Sequence, residues 1–215
     1  MNFVTSWSGG KDSCYAMMQA VKSGFTPRVL LNMMNENGKI SRSHGLPLSI
    51  LNQQAQKMQL PIETVPATWG DYEQKFIAVL KSLKAKYDLD AAVFGDIDLQ
   101  PHRDWEEKVC QAADLEAILP LWQQDRIALV NEMIENGIET MIVSCNTTMG
   151  ENYLAQILTK ELALELAAKG IDPCGENGEF HTMVINCPLF SEKISLPPFT
   201  TKVYNDYCFV VWEEN

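Results

Sequence analysis

Phe3-Val4-Thr5-Ser6-Trp7-Ser8-Gly9-Gly10-Lys11-Asp12-Ser13-Cys14 carries an apolar strand straight into a glycine turn and then into a helix. Residues 3–7 read as a strand, and residues 12–23 as a helix whose apolar face includes Tyr15, Ala16, Met18 and Val21. Between them, Gly9 and Gly10 let the backbone turn sharply and approach an anion, while serine hydroxyls and the first helix amides add donors at the positive end of the helix. Such a junction suits pyrophosphate. It is not the commoner Walker A loop, because Lys11 is followed by Asp12 and Thr5 stands where the leading glycine would fall. An acid inside a phosphate loop makes electrostatic sense where a metal lies between, so Asp12 is a candidate Mg²⁺ ligand; it would also suit a helix cap.

Outward from this junction, apolar runs alternate with helical patterns. Strands are expected at 28–33, 62–65, 91–95, 116–119 and 140–144, with helices at 47–59, 71–87, 103–113 and 126–136. This is an α/β fold, a parallel sheet of the five-stranded type with helices on both faces. Beyond Met149 the pattern changes to a helix over 153–168, a glycine-rich loop, and a β-like tail with Val184, Ile185 and residues 209–212. The chain therefore divides into a nucleotide-binding domain, 1–149, and a smaller α+β region on the substrate side, 150–215.

A net charge of −11 over 215 residues opposes a nucleic-acid partner, which would draw on clustered Lys and Arg. A nucleotide binder this acidic must offset repulsion locally, with backbone amides, a few basic side chains and a divalent ion. No window has the length and apolarity of a membrane span and the start has no targeting pattern, so no membrane partner and a cytoplasmic location are expected. The six cysteines, Cys14, Cys110, Cys145, Cys174, Cys187 and Cys208, lie far apart and read as reduced, mostly buried thiols.

A second polar cluster follows at Cys174-Gly175-Glu176-Asn177-Gly178-Glu179-Phe180-His181-Thr182. Glu176 and Glu179 could orient ammonia or bind a metal, and His181 could donate to an anion or move a proton; Asn177 and Thr182 are candidate substrate contacts. A solvated turn is the bland alternative, since Asn-Gly alone favours one. Gly95-Asp96-Ile97-Asp98-Leu99-Gln100-Pro101-His102-Arg103 follows a buried strand at the sheet edge where such folds collect ligands. Gly95 is a candidate nucleotide contact and Asp96 a second metal ligand, while His102 and Arg103 could meet phosphate or a substrate acid; a helix-starting loop explains them about as well. Arg42 and His44, after the second strand, could touch substrate, though a solvated loop is the plainer reading.

Ser8 to Ser13 also resembles the pyrophosphate loop of the ATP pyrophosphatases in the adenine nucleotide alpha hydrolase (HUP) fold, whose members cleave ATP to AMP and pyrophosphate. Gly175 to Thr182, with Pro120-Leu121-Trp122, resembles the diphthine-ammonia ligase family over nearly the whole chain. The segment Gly95 to Arg103 departs from that family's Gly-Ala-Ile, Ser and Tyr-Gln pattern and so bears on the acceptor. The resemblance implies an AMP-forming carboxylate–ammonia ligase using ATP and Mg²⁺. Its acceptor would be a carboxylate such as diphthine on elongation factor 2, and a homodimer is one assembly open to it. Ser8, Gly9, Gly10, Lys11, Asp12 and Ser13 would then hold ATP, with Lys11, Asp12, Glu176, Glu179 and His181 as catalytic groups. An ATP-dependent thiolation enzyme of this fold, or a non-catalytic nucleotide sensor, are the alternatives.

Overall fold

The computed structural model describes residues 1–213. Five parallel strands, β1 (Asn2–Ser6), β2 (Thr26–Met34), β3 (Ile62–Pro66), β4 (Ala91–Val93) and β5 (Glu116–Ile118), form one sheet in the order β3-β2-β1-β4-β5. From β1 the chain runs outward through β2 to β3, then returns to the other side of β1 for β4 and β5. The reversal falls between β1 and β4, and at such a switch point the connections leave in opposite directions and open a crevice at the strands' C-terminal ends.

Successive residues of a strand face opposite ways, and β1 shows it: Phe3 enters one core and Val4 the other. Over the first face lie α1 (Lys11–Lys22), α2 (Leu48–Lys57) and α5 (Arg126–Glu135), through Tyr15, Met17, Ile50, Leu51, Leu129 and Met133. Over the other lie α3 (Tyr72–Tyr87) and α4 (Gln100–Ala112), through Phe76, Leu80, Leu83 and Val109. Both faces are covered, as an all-parallel sheet requires.

A second, antiparallel sheet has the order β7-β6-β9-β8, from β6 (Glu139–Asn146), β7 (Phe180–Asn186), β8 (Phe199–Tyr204) and β9 (Tyr207–Trp212). The strand expected at 140–144 continues the alternating pattern in the sequence, yet it pairs here and not with the parallel sheet. The helix expected over 153–168 is also shorter. A 3₁₀ turn at Glu151–Tyr153 ends at Ala155 in the left-handed region (φ 62°), and only Lys160–Ala168, α6, is α-helical. The intervening residues hydrogen-bond to β6 instead, Ala155 N to Ile142 O at 2.9 Å and Leu158 N to Thr140 O at 2.9 Å. Thr159 then caps α6 by accepting from Leu162 N. The two sheets share the larger core, with Phe3, Met17, Met183 and Val184 in one buried cluster.

Candidate active site

The turn after β1 is built against the second sheet. Gly9 carries φ +86°, and a Cβ there would stand 2.6 Å from Leu46 Cδ1. At Gly10 a Cβ would meet His44 Cε1 at 2.4 Å and Thr182 O at 3.0 Å. These glycines therefore make room first for protein, whereas the sequence alone suggested room for phosphate. Val184 N donates to Gly9 O at 2.8 Å, and Lys11 N to Thr182 Oγ1 at 3.2 Å. Gln54, fully buried, ties three segments together: it accepts from Trp7 Nε1 at 2.9 Å and donates to Gly9 O at 3.0 Å and Val184 O at 2.9 Å. On the other flank, a Cβ at Gly95 would lie 2.7 Å from the Asp12 carbonyl carbon and from Ser13 N, so the segment after β4 abuts the start of α1.

A cavity of about 850 Å³ opens at this junction, within the range of small-molecule sites. Ser8, Lys11, Asp12 and Ser13 line it from the loop, Gly95 and Asp96 from the end of β4, and Glu176, His181 and Thr182 from the second polar cluster. His44 and His102 join them. Sequence-distant candidates thus meet in one space.

Others lie elsewhere. Glu179 accepts from Asn177 N and Nδ2, each at 3.1 Å, so these two close the turn with each other and stand outside the cavity lining. Arg103 pairs with Glu107 at 2.7 Å and lies over the Trp122 ring at 5.0 Å, also outside the lining. Arg42 lines a smaller spur beside the loop.

The electrostatics are those of crowded acids. Lys11 bonds Asp12 Oδ2 at 2.9 Å and the Cys174 carbonyl; burial works against its charge, but Asp12 and its other neighbours outweigh burial and hold its pKa above the ordinary value. Burial raises the Asp12 carboxyl in spite of Lys11. Glu176 is pushed up to about 8 by burial and by Asp12. Asp96 accepts from His102 at 2.6 Å; burial pushes it upward, but this bond and one from Glu106 hold it below the ordinary value. His44 and His181 are neutral: burial lowers them to about 3 and about 4, and their rings lie 4.7 Å apart.

Residues that the sequence did not single out complete the wall. Glu106 on α4 is 3% exposed and pushed up to about 11 by burial and Asp96. It stands one helical turn from His102, and that i, i+4 spacing was the signal available. Trp69, Tyr72 and Trp105 form an aromatic side with no legible motif. Cys174, also on the lining, donates to Arg126 O at 3.2 Å, and burial raises its thiol above the ordinary value.

A metal fits at Asp12. Its Oδ1 is buried and without a hydrogen-bond partner, beside the loop that would hold phosphates. Among the described residues no group of three His, Cys, Asp or Glu is arranged around a metal, which suits an ion held by one or two carboxylates and phosphate oxygens.

The family model described as diphthamide synthase N-terminal domain matches residues 1–117, and that described as diphthamide synthase C-terminal domain matches residues 125–213. A diphthine–ammonia ligase of Danio rerio is 30% identical over 235 residues, covering 97% of this chain and 91% of its own. That of Homo sapiens is 29% identical over 213 residues, covering 87% and 79%. A solved structure described as a predicted subunit of tRNA methyltransferase from Methanocaldococcus jannaschii covers 90% of this chain and 100% of its own, at 18% identity and a TM-score of 0.48, too slight a likeness to argue from.

Proposed function

The chain belongs to the diphthamide synthase family and is an ATP-dependent amide-forming ligase, and from that premise we propose how its cavity performs the reaction. ATP lies across the C-terminal edge of the parallel sheet with its β- and γ-phosphates on Ser8 to Ser13. An acceptor carboxylate, of the kind diphthine carries on elongation factor 2, attacks the α-phosphorus, and the bond to pyrophosphate breaks. Lys11, kept charged by its neighbours, stabilises the departing charge. Asp12 would hold Mg²⁺, which when bound neutralises phosphate charge.

Ammonia then attacks the acyl carbon through its lone pair, the bond to AMP breaks, and the nitrogen loses a proton. Glu176, pushed up to about 8, holds its proton in most molecules at neutral pH, and its minor ionised fraction would take that proton. His181, neutral in this pocket, can donate a hydrogen bond to an oxyanion without adding charge. The 1–149 part supplies the nucleotide contacts and the 150–215 part the groups that face the acceptor. The cytosol, where thiols stay reduced, suits the six unpaired buried cysteines, and no helix among the described residues is long and apolar enough to cross a membrane.

The observation that carries this reading is the meeting of the phosphate loop with Glu176, His181 and Thr182 in one cavity at the switch point. AMP and pyrophosphate should form from ATP, Mg²⁺ and ammonium only when diphthine-bearing elongation factor 2, or another carboxylate acceptor, is present. Asp12→Ala should abolish pyrophosphate release while leaving the thermal melt close to that of the parent. Full turnover in that variant removes the metal assignment, and ADP in place of AMP removes adenylation.

A further inference from the structure

Among the described residues in and beside the cavity, the cations are closely paired except one. Lys11 meets Asp12 at 2.9 Å, His102 meets Asp96 at 2.6 Å, Arg126 meets Asp98 at 2.6 Å, and Arg103 meets Glu107 at 2.7 Å. Among the described residues Arg42 has only Glu36, whose oxygen is 3.6 Å away, beyond hydrogen-bond reach, on a side chain 67% exposed. Yet the Arg42 side chain is only 9% exposed, and its Nε and Nη2 are buried without a partner. A guanidinium withdrawn from water in this way loses hydration that no hydrogen bond to Nε or Nη2 among the described residues replaces.

The Trp69 ring, 4.8 Å from Arg42 Cζ, compensates in part. It attracts a cation to its face, but it offers no acceptor to the N–H groups in the guanidinium plane. Arg42 is itself one of the residues lining a spur of about 100 Å³, together with Ser6, Ser8, Ser41, Ser43 and His44. A space of that size admits a carboxylate or phosphate group. His44 is neutral, so Arg42 supplies the charge and the serines supply neutral donors. The spur shares Ser8 and His44 with the main cavity and so lies within reach of whatever binds there.

We propose that this spur is an oxyanion subsite, in which the guanidinium of Arg42, backed by Trp69, holds a carboxylate or phosphate group of a bound substrate. The source of the anion, acceptor or nucleotide, rests on the ligase reading; the subsite itself does not. Trp69 is 78% exposed and stacked on the guanidinium, so its emission reports occupancy, and Trp69→Phe identifies that signal. Succinate or inorganic phosphate should shift the emission of the parent protein, and neutral succinamide should not.

Arg42→Gln should weaken the response at least tenfold with the melting temperature retained. Arg42→Lys should recover only part of it, for want of a planar fork. If succinate binding falls and ATP binding holds, the acceptor supplies the group; if ATP binding falls, the nucleotide does. Unchanged anion affinity in Arg42→Gln, or no response in the parent, overturns the subsite. Oxyanion binding at Arg42 without AMP formation from any acceptor would sink the ligase reading and leave the subsite standing, whereas AMP formation with unchanged kinetic constants in Arg42→Gln would do the reverse.

Discussion

Glu106 keeps its proton up to about 11, because it is 3% exposed and shares its environment with Asp96. The unfolded chain would release that proton near 4.5, so folding above this value must put it back. Glu106→Gln keeps the shape and a donor toward Asp96 while removing the penalty. Its stabilising effect should grow with pH, by up to roughly 2.7 kcal/mol between about pH 6 and pH 8 at 1.36 kcal/mol per unit. Urea unfolding of both proteins at the two pH values measures it, and an equal effect at both would show that Glu106 folds ionised. At this scale the sequence was partly legible. Asp96 and His102 stood out because a strand end collects ligands, but a lone acid on an amphipathic helix reads as solvated, and the spacing of Glu106 one turn from His102 does not by itself say that Asp96 will face it. Gly9 and Gly10 were legible as special without showing that the neighbours they admit are His44, Leu46 and Thr182.

Between residues and the whole stand the elements, where local pattern and long-range pairing compete. Residues 153–168 form an unbroken helical pattern in the sequence, and the first part is extended only because β6 supplies backbone partners. Thr159 is the residue that restarts the helix, through its side chain and Leu162 N at 3.2 Å. Thr159→Ala should cost about 1 kcal/mol, seen as a lower urea midpoint with an unchanged slope. A loss near zero would mean that pairing with β6 alone places the start of α6. The same competition explains β6 itself. Its apolar run follows a helix as β2 to β5 do, and only the antiparallel register with β7 and β9, set by chain still to come, assigns it to the other sheet. The parallel strands were legible because each is bracketed by its own helix and loop.

For the molecule as a whole, the buried titrating groups pull in opposite directions. His44 and His181 have ordinary values of 6.5 and folded values of about 3 and about 4, so stability present above 6.5 is lost as pH falls toward 4. Glu176 and Glu106 have ordinary values of 4.5 and folded values of about 8 and about 11, so stability present below 4.5 is lost as pH rises through these values. Between 4.5 and 6.5 the two effects oppose each other; above 6.5 only the carboxyls act. The urea midpoint should therefore be higher at about pH 6 than at about pH 8, and the reverse order would refute this balance.

The bonds from Gly9 O to Val184 N and Gln54 carry a further consequence for how the protein is made. When a ribosome has released the first 117 residues, the loop's letters are all present, but the strand that shapes it has not been synthesised. The loop's backbone bonding is thus completed only by the last third of the chain, so a chain halted at residue 117 carries the loop without the strand that braces it.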